Sequence, residues 1–497
     1  MPDLVRLHKV NETYIQVKAD PGIVFELADH FTFDVPGAKH TPKFKLGVWD
    51  GKIRLLNKVT GAIYAGLADE IVKLCEDRGY EVECDWSRSA NEFSVVEAEK
   101  FVATLGLPED RAPRDYQLDV LITAARYGRH VFLSPTASGK SLIIYLLAMY
   151  FQKKVLVIVP TTHLVHQMVK DFGDYGFDPA GIHKIYAGQP KETRAPIVVT
   201  TWQSIGGASS EWLEKYGVIV ADECHLFTAK TLKEIMERAT HCALRFGFSG
   251  TLDGTKTHEL VLKGLFGPIR KVANTTDLIE QGYLAKLNIK AIKLEYDQTV
   301  RDFIGKGRDG KPVEYKTEAD FLITHEPRNR FIKNMTLGLK GNSLVLFSRI
   351  EHGETLWKMI SSAAGDRKVF LIYGKVEGTE RARIQQVVEG EEDAVVVASY
   401  QTFGTGTNVI NLNNVVFASP NKGRIRNLQS IGRGLRKAGA KTDCTLIDIG
   451  DDMCLRSKKS GKVVYQNHTL RHFAIRINTY AEEAFPYRIY PIELKGV

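Results

Sequence analysis

The sequence predicts an α/β protein built on doubly wound parallel sheets, and three features of the chain carry this prediction. Continuous apolar runs such as residues 131–133 and 155–159 are typical of strands buried on both faces. The apolar run 142–151 suits a helix packed against such a sheet. Polar residues follow several of these strands, at the edge where doubly wound sheets bind their ligands.

Length and composition set limits on the kind of protein. A chain of 497 residues is long enough for about three domains. The net charge of +8 permits a polyanionic partner, but a generic basic surface explains it equally well. The six cysteines form no Cys-x-x-Cys pair, so we expect neither disulfides nor zinc, and a reducing cytoplasm. No apolar stretch reaches the ~20 residues of a membrane-spanning helix, so we expect no membrane partner.

The pattern divides the chain into three parts. Residues 1–88 are predicted to form a small N-terminal α/β domain, which a polar linker joins to the remainder. Residues 89–285 and 286–497 are predicted to be two larger domains, the second with a basic C-terminal tail and a helix over 468–485. The basic segment 301–316 favours a flexible solvated loop over a nucleic-acid-binding finger.

A basic and aromatic segment lies within the small domain. Residues 44–56 predict a hairpin that turns at Asp50-Gly51. Cations neutralise phosphates and an exposed aromatic ring stacks on bases, so this hairpin is a candidate DNA contact. A hairpin with a core tryptophan and a solvated basic face is an equally good interpretation. The residues concerned are Lys43, Lys45, Trp49, Lys52 and Arg54.

A phosphate-binding loop is predicted between the strand 131–133 and the helix that follows. Unpaired backbone N–H groups and the helix dipole there favour a polyphosphate. Lys140 supplies a mobile charge for the outer phosphates, and the Ser141 hydroxyl is a candidate Mg²⁺ ligand. The loop is of the Walker A type, although Ser134 replaces the usual first glycine. Its remaining candidate nucleotide contacts are Thr136, Ala137, Ser138 and Gly139.

Gln117 lies upstream of this loop, before the apolar helix 118–125. Its side-chain amide offers both a donor and an acceptor, which suit the edge of adenine. Capping of the helix is the alternative role, and the residue by itself favours capping.

Polar residues at the ends of two further strands are candidate contacts to a nucleic-acid backbone. Hydroxyl and amide groups at such positions grip phosphates without reading sequence. These residues are Thr161, Thr162, Thr201, Trp202 and Gln203.

An acidic pair follows the apolar strand 218–221. Asp222 is a candidate ligand for Mg²⁺, and Glu223 is placed to orient or deprotonate an attacking water. His225, Ser249 and Thr251 are candidates for relaying the nucleotide state. Together with the phosphate loop, the pair predicts hydrolysis of ATP, since the parts of a phosphoryl-transfer site occur together.

These motifs, in this order, resemble motifs I, II and III of superfamily 2 helicases. The resemblance implies two tandem RecA-like domains, and the downstream sequence is similar to motifs IV, V and VI. The matching positions are Arg349 for motif IV, then Thr402, Gly406 and Asn408 for motif V, and Gln429, Arg433 and Arg436 for motif VI.

The motif VI spacing places Gln429, Arg433 and Arg436 within about two turns of one helix. Both guanidinium groups are then expected to point across an interdomain cleft, where they would stabilise charge on the transferred phosphoryl group. A surface helix with paired arginines is the alternative. Hydrolysis that requires cleft closure would be coupled to domain motion, as in a motor.

Within this superfamily the whole chain most resembles the UvsW-type phage recombination helicases. The resemblance implies an ATP- and Mg²⁺-dependent remodeller of branched DNA that migrates junctions, regresses forks and dissociates D-loops or R-loops. It also implies RNA–DNA hybrids and single-strand-binding or recombination proteins as partners, and a host-cell cytoplasm. The motor motifs leave open an RNA helicase or a restriction or repair subunit, and an ATP-gated clamp is the alternative of another class.

Overall fold

The computed structural model describes residues 3–494, apart from residues 36, 88, 229, 253–254, 308, 405–410, 438–440 and 458. The chain divides into two compact units. The first comprises Met1–Ser134 and Gly139–Ala273, and the second comprises Pro135–Ser138 and Asn274–Val497. The predicted boundaries at 88 and 285 stay predictions.

The first unit begins with a small α/β layer. A mixed sheet has the strand order β5-β2-β1-β6, and β3 pairs with β4 in a separate antiparallel ribbon. The strands are β1 (Leu4–Lys9), β2 (Tyr14–Lys18), β3 (Thr32–Asp34), β4 (Lys52–Arg54), β5 (Ala62–Tyr64) and β6 (Glu81–Cys84). The helices are α1 (Pro21–His30), α2 (Pro42–Lys45) and α3 (Ala68–Asp77).

The hairpin predicted over residues 44–56 is wrong. Its first arm is helical, because Pro42 opens α2 and the Thr41 hydroxyl accepts a hydrogen bond from Phe44 N. Its second arm, β4, pairs with β3 rather than with residues 44–48. The chain nevertheless turns at Asp50-Gly51 as predicted, since Gly51 adopts a positive φ of 78°.

A seven-stranded parallel sheet forms the body of the first unit, in the order β13-β7-β12-β11-β8-β10-β9. Its strands are β7 (Arg129–Leu133), β8 (Val155–Val159), β9 (Ile182–Ile185), β10 (Ile197–Thr201), β11 (Val218–Ala221), β12 (Leu244–Ser249) and β13 (Ile269–Lys271). The helices are α4 (Val95–Thr104), α5 (Asp115–Tyr127), α6 (Lys140–Phe151), α7 (Thr162–Asp174), α8 (Trp202–Ile205), α9 (Ser210–Glu214), α10 (Lys230–Arg238) and α11 (Lys256–Phe266). Apolar clusters cover both faces of the sheet.

The N-terminal layer shares a hydrophobic core with this sheet. Arg245 is fully buried beneath the joint, where it donates to Thr13 Oγ1 at 2.8 Å and to Cys242 O at 2.7 Å. An ion pair of 2.7 Å joins Lys263 of α11 to Glu70 of α3. The two layers therefore form a single body, for which the sequence held no signal.

The second unit contains another seven-stranded parallel sheet, in the order β16-β17-β15-β18-β19-β14-β22. The seven strands of this sheet are β14 (Lys286–Glu295), β15 (Ser343–Phe347), β16 (Val369–Ile372), β17 (Val395–Ser399), β18 (Asn414–Phe417), β19 (Asp443–Asp452) and β22 (Tyr487–Glu493). Two further strands, β20 (Leu455–Arg456) and β21 (Val463–Tyr465), form a separate antiparallel ribbon. The helices are α12 (Thr275–Glu280), α13 (Gln298–Lys306), α14 (Tyr315–Thr324), α15 (Glu326–Gly338), α16 (Ile350–Ser361), α17 (Gly378–Glu389), α18 (Tyr400–Gly404), α19 (Arg424–Gly434) and α20 (His468–Glu482). Two parallel sheets and a small mixed sheet confirm the predicted fold class.

The predicted flexible loop over 301–316 is wrong at both ends, whereas the described residues of 307–314 lie outside helices and strands. α13 covers its start and α14 begins at its end. The Asp297 side chain caps α13 by accepting from Val300 N at 2.9 Å, and Arg301 donates to Tyr296 O at 2.7 Å. These local hydrogen bonds hold basic residues in a helix that charge alone did not predict.

The C-terminal segment completes the second unit. α20 packs on β19 through a buried ion pair in which Arg476 Nε lies 2.9 Å from Asp448 Oδ1. The chain then returns as β22, which pairs in parallel with β14. This strand was not predicted, because its alternating pattern is short and largely exposed.

All six cysteines are free thiols. In the described part of the chain, no three His, Cys, Asp or Glu side chains cluster as a metal site would require. Within the same residues, no helix combines the length and apolarity needed to cross a bilayer.

The joint between the N-terminal layer and α11 predicts a stability effect. A Cβ atom added at Gly264 would lie 2.7 Å from Tyr64 Cδ2, which real side chains do not tolerate. We expect Gly264→Ala to lower the free energy of unfolding by about 1–3 kcal/mol through overpacking. The measurement is the midpoint of urea denaturation. Gly207→Ala, where nothing lies within 4 Å of the added atom, is the control and should change stability by less than about 0.5 kcal/mol. Equal midpoints for both variants would contradict close packing at Gly264.

Candidate functional site

The predicted phosphate loop connects the end of β7 to the start of α6. Ala137 and Gly139 both adopt left-handed backbone conformations, with φ of 68° and 79°. The Ser138 N–H and hydroxyl both donate to Pro135 O, at 3.2 and 2.7 Å. The chain therefore curls tightly before the helix, whose first N–H groups have no partners within the helix and favour an anion.

The two residues that open α6 carry the polar chemistry of the loop. Lys140 Nζ donates to Ser134 O at 3.3 Å, so the ammonium lies over the loop. The Ser141 hydroxyl lies 2.8 Å from the hydroxyl of Tyr175, a buried side chain just after α7. Sequence reasoning missed Tyr175, because no motif marks a residue that reaches Ser141 only through tertiary packing.

Gln117 is buried and performs the capping role. Its Oε1 accepts from Arg114 N at 2.9 Å at the start of α5. Its Nε2 also donates to Gly139 O at 3.4 Å, so the same side chain supports the phosphate loop. The adenine contact stays a prediction.

The acidic pair follows β11 at the same edge of the sheet. Asp222 Oδ1 accepts from Glu223 N at 3.0 Å. Glu223 has a φ of 51°, a strained conformation for a residue with a side chain, and such strain concentrates at functional sites. Burial, and then the neighbouring Glu223 charge, raise the pKa of Asp222, while the Lys140 ammonium opposes this shift. A divalent cation would favour the ionised carboxylate in the same way.

His225 connects this pair to the next strand. Its Nδ1 lies 2.9 Å from Ser249 Oγ and 3.3 Å from Glu223 Oε2. Ser249 Oγ in turn donates to Thr251 O at 2.8 Å. The structure therefore brings together the three residues predicted to relay the nucleotide state, next to the acidic pair.

His258 of α11 extends this network, and sequence reasoning missed it. Its Nε2–H donates to the main-chain carbonyl of His225 at 2.8 Å. Only the packing of α11 beneath the acidic loop makes this contact, so a sequence signal for it does not exist.

The candidate backbone contacts of the first unit lie at the ends of β8 and β10. The Thr161 hydroxyl caps α7 by accepting from Leu164 N at 3.4 Å, and Thr162 is exposed. The Thr201 hydroxyl is buried against Ser204 Oγ at 2.9 Å. The two residues that follow differ in exposure, since Trp202 is half-buried and Gln203 is exposed.

The basic segment of the N-terminal layer is largely solvated. Lys43, Lys45 and Lys52 are exposed. Trp49 is half-buried and its Nε1 donates to Lys52 O at 2.8 Å, so the ring is held at the surface rather than in the core. Arg54 pairs with Asp50, and this hydrogen bond lowers the pKa of the Asp50 carboxyl to about 2.

Two of the predicted residues of the second unit lie at the ends of parallel strands. Arg349 immediately precedes α16 without a side-chain capping hydrogen bond, and its guanidinium pairs with Asp320. Thr402 is buried and its N–H donates to Ser399 Oγ at 3.1 Å. Gly406 and Asn408 lie outside the described residues.

The motif VI prediction needs one correction. Gln429 and Arg433 lie on α19, but the helix ends at Gly434 and Arg436 follows it. The buried ammonium of Lys441 donates to the carbonyls of Gly434 and Arg436, the latter at 2.9 Å. Carbonyls at and beyond a helix end have no partner within the helix, and the lysine ammonium satisfies these two.

Three family models match the chain. They are "Type III restriction enzyme, res subunit" over residues 110–254, "DNA helicase UvsW, N-terminal" over residues 5–85, and "Helicase conserved C-terminal domain" over residues 328–438. Each match overlaps one of the layers described above.

Individual proteins give the same result at full length. The ATP-dependent DNA helicase uvsW of Enterobacteria phage T4 is 33% identical over 510 residues, which cover 99% of this chain and 100% of that protein. The crystal structure of T4 UvsW matches with a TM-score of 0.51 and 32% identity, covering both chains completely.

Other matches are more distant. The DNA 3'-5' translocase XPB2 of Sulfurisphaera tokodaii is 23% identical over 356 residues, 65% of this chain and 78% of that protein. The DNA-bound restriction-modification enzyme LlaBIII shares the fold, with a TM-score of 0.56, 13% identity, and coverage of 77% of this chain and 31% of that one. The full-length identity decides the family: this chain belongs to the UvsW-type DNA helicases of superfamily 2 and is an ATP-dependent DNA helicase.

Proposed function

We propose that this helicase remodels branched DNA by migrating junctions, regressing forks and dissociating D-loops or R-loops during recombination and repair. The observation that carries the proposal is the shared core between the N-terminal layer and the first parallel sheet. A helicase that only translocates along one DNA strand does not need a second DNA-binding layer rigidly joined to its motor. An accessory layer fixed to the motor is suited to holding a second arm of a junction while the first moves.

We further propose how the described residues act on ATP. Lys140 and the loop residues Thr136, Ala137, Ser138 and Gly139 bind the phosphates, and Gln117 borders the adenine. Gly406 and Asn408 are proposed to contribute nucleotide contacts from the second unit. Hard oxygen donors suit Mg²⁺, and the Ser141 hydroxyl and the Asp222 carboxylate provide them, so the residues fit this ion. The ion when bound would neutralise charge on the transferred phosphoryl group.

The remaining chemistry belongs to protein side chains. Glu223 orients the attacking water and accepts its proton, a role that its strained backbone supports by directing the side chain. Arg433 and Arg436 stabilise the charge that develops on the phosphoryl oxygens, and Gln429 positions them. His225, Ser249 and Thr251 relay the nucleotide state through the hydrogen bonds described above.

The proposed DNA contacts occupy both units and the N-terminal layer. In the motor they are Thr161, Thr162, Thr201, Trp202, Gln203, Arg349 and Thr402, and in the N-terminal layer they are Lys43, Lys45, Trp49, Lys52 and Arg54. We propose RNA–DNA hybrids as further substrates, single-strand-binding or recombination proteins as partners, and the host-cell cytoplasm as the location. The motor residues would grip the backbone without reading sequence, because most of them offer hydroxyl and amide groups.

The proposal is tested by strand displacement on matched DNA substrates. A four-way junction, a fork and a D-loop should each be processed at least about tenfold faster than a linear duplex of the same length, because only branched DNA offers a second arm for the accessory layer to hold while the motor moves the first. Lys140→Ala should abolish displacement and keep DNA binding, whereas Lys100→Ala at an exposed position of α4 should behave as wild type. Equal rates on branched and linear DNA would overturn the branched-DNA proposal.

Arg433 gives a second prediction. Loss of its guanidinium should lower the kcat for ATP hydrolysis by ~10³- to 10⁵-fold, because this charge stabilises the transition state more than bound ATP. The measurement is steady-state hydrolysis with DNA, together with the affinity for a fluorescent ATP analogue, which should change little. Arg426→Ala is the matched control on the exposed face of the same helix. A kcat for Arg433→Ala near that of the control would rule out the assigned role.

The exposed lysines give a third prediction. Replacing Lys43, Lys45 and Lys52 by alanine should weaken junction binding and reduce the slope of log K against log salt by about one for each DNA phosphate that the variant no longer neutralises. Fluorescence anisotropy across a salt series measures both quantities. A control with the same charge change replaces Lys18, Lys73 and Lys100, which are also exposed. If both triple variants give the same slope, the segment has no specific DNA contact.

A further inference from the structure

A groove lies between the N-terminal layer and the first parallel sheet, within the first unit. Its volume is about 940 Å³, and it is lined by residues of β2, β4, β5, α10 and α11. Pockets of roughly 300–1,000 Å³ are the usual size for small ligands. The established motor motifs do not include this groove, and no family match assigns a role to it.

The groove is amphipathic: apolar walls are bordered by three basic side chains, each of which is paired with a carboxylate outside the lining. Apolar side chains, among them Ile53, Leu55 and Val261, form part of its wall. Arg54, Lys58 and Lys233 supply positive charge, and none of the described residues that line the groove carries a carboxylate.

The carboxylates that face these cations lie outside the lining. Asp50 pairs with Arg54, Asp29 lies 2.8 Å from Lys58, and Glu237 lies 3.5 Å from Lys233. Apolar surface bordered by cations matches a nucleotide, which carries a flat base and an anionic phosphate. Arg54 also belongs to the proposed DNA-contacting segment, so the groove continues that surface.

One end of the groove reaches the ATPase motifs through α11. Thr255 and His258 both line the groove. The Thr255 side chain caps α11 by accepting from His258 N at 3.3 Å. The His258 ring donates to the carbonyl of His225 at 2.8 Å, and His225 contacts Glu223 and Ser249. One hydrogen bond to His225 and one 3.3 Å contact from the His225 ring to Glu223 therefore connect a groove-lining side chain to the acidic pair.

The other end of α11 is fixed to the N-terminal layer. Lys263 pairs with Glu70 at 2.7 Å, and Gly264 packs against Tyr64 so closely that an added Cβ would lie 2.7 Å from the ring. A Cβ atom at Gly66 would lie 2.1 Å from Lys263 O, so the two backbones are in direct contact at this joint. A ligand that displaces the Thr255 and His258 end of α11 must therefore shift the helix against this fixed end.

We propose that this groove binds a nucleotide of single-stranded DNA. His258 is then a positioning residue: when the groove is occupied, its hydrogen bond to the His225 carbonyl transmits the change to the acidic pair. This inference rests on the proposed function, because it assigns the groove to the DNA that the helicase remodels. It supplies a route by which DNA held on the N-terminal layer stimulates hydrolysis of ATP.

Binding in the groove is tested by photo-crosslinking of the full-length protein to an oligothymidylate that carries thiothymidine, in the absence of nucleotide. Mass spectrometry should find the crosslinks in residues 52–64 and 255–262. The double variant Lys58→Glu and Lys233→Glu should lose them, because two groove cations become anions. Crosslinks that avoid both segments, or that survive the double charge reversal unchanged, would overturn the site.

The relay is tested with His258→Ala and His258→Gln. Losing one buried hydrogen bond costs about 1 kcal/mol, so we expect His258→Ala to lower the ratio of DNA-stimulated to DNA-free turnover about fivefold, with the Kd for the oligonucleotide unchanged within about twofold. Glutamine keeps an N–H donor at a similar reach and should restore most of the ratio. His241→Ala, an exposed histidine of the same unit, is the control. A parallel fall of both turnover rates, or no rescue by glutamine, would overturn the relay.

These outcomes are separable from failure of the proposed function. Crosslinking requires no hydrolysis and no branched DNA. Equal displacement of branched and linear DNA would remove the junction proposal while leaving crosslinks in the groove. Normal processing of junctions without groove crosslinks would remove this inference alone.

Discussion

Parallel register is the constraint on which the first unit depends. In β7, β8, β10, β11 and β12 every strand pairs in parallel with its neighbours, so all of them end at one edge of the sheet. Ser249 pairs with Leu133 in that register, and Ser134 N then donates to Ser249 O at 2.8 Å. This alignment brings residues that are far apart in sequence within hydrogen-bonding range. Without it the phosphate loop and the acidic pair would be unrelated turns.

Left-handed backbone positions, among them Gly139 and Glu223, convert this edge into a site. Gly139 reaches its conformation at little cost, whereas Glu223 is held there by its surroundings. The pairing of Gly139 with the Gln117 amide, and of His225 with Glu223, shows how neighbouring side chains support each turn. Electrostatics act in the same region, since burial raises the pKa of Asp222 while Lys140 lowers it. The carboxylate is thus set in surroundings where a cation changes its charge state readily.

The joint between the N-terminal layer and the sheet makes an accessory domain part of the motor. Arg245 is buried within carbonyl and hydroxyl acceptors, including Thr13 Oγ1. A buried guanidinium that lost these acceptors would destabilise the fold, so separating the two layers costs substantial free energy. α11 lies across this joint and also contacts the acidic loop through His258. The packing contacts alone are therefore enough to couple the N-terminal layer mechanically to the sheet.

The sequence by itself determined the features that depend on local chemistry. Apolar runs identified the buried strands, glycine and lysine marked the phosphate loop, and the acidic pair and motif VI followed from residue type and spacing. The same reasoning failed where a cap or a distant partner competes with a local signal. Pro42 and Thr41 made a helix of one predicted hairpin arm, and α19 ends before Arg436, whose carbonyl accepts from the distant Lys441.

Only the tertiary structure decided which distant residues meet. Tyr175 reaches Ser141, and His258 reaches the His225 carbonyl, through contacts between elements that no sequence pattern relates. The shared core beneath the N-terminal layer and the groove beside it are of the same kind. Residue type and spacing indicate which local structure is favourable within one segment at a time. Contacts between segments depend on how a whole core packs, and that is settled only when the chain is folded.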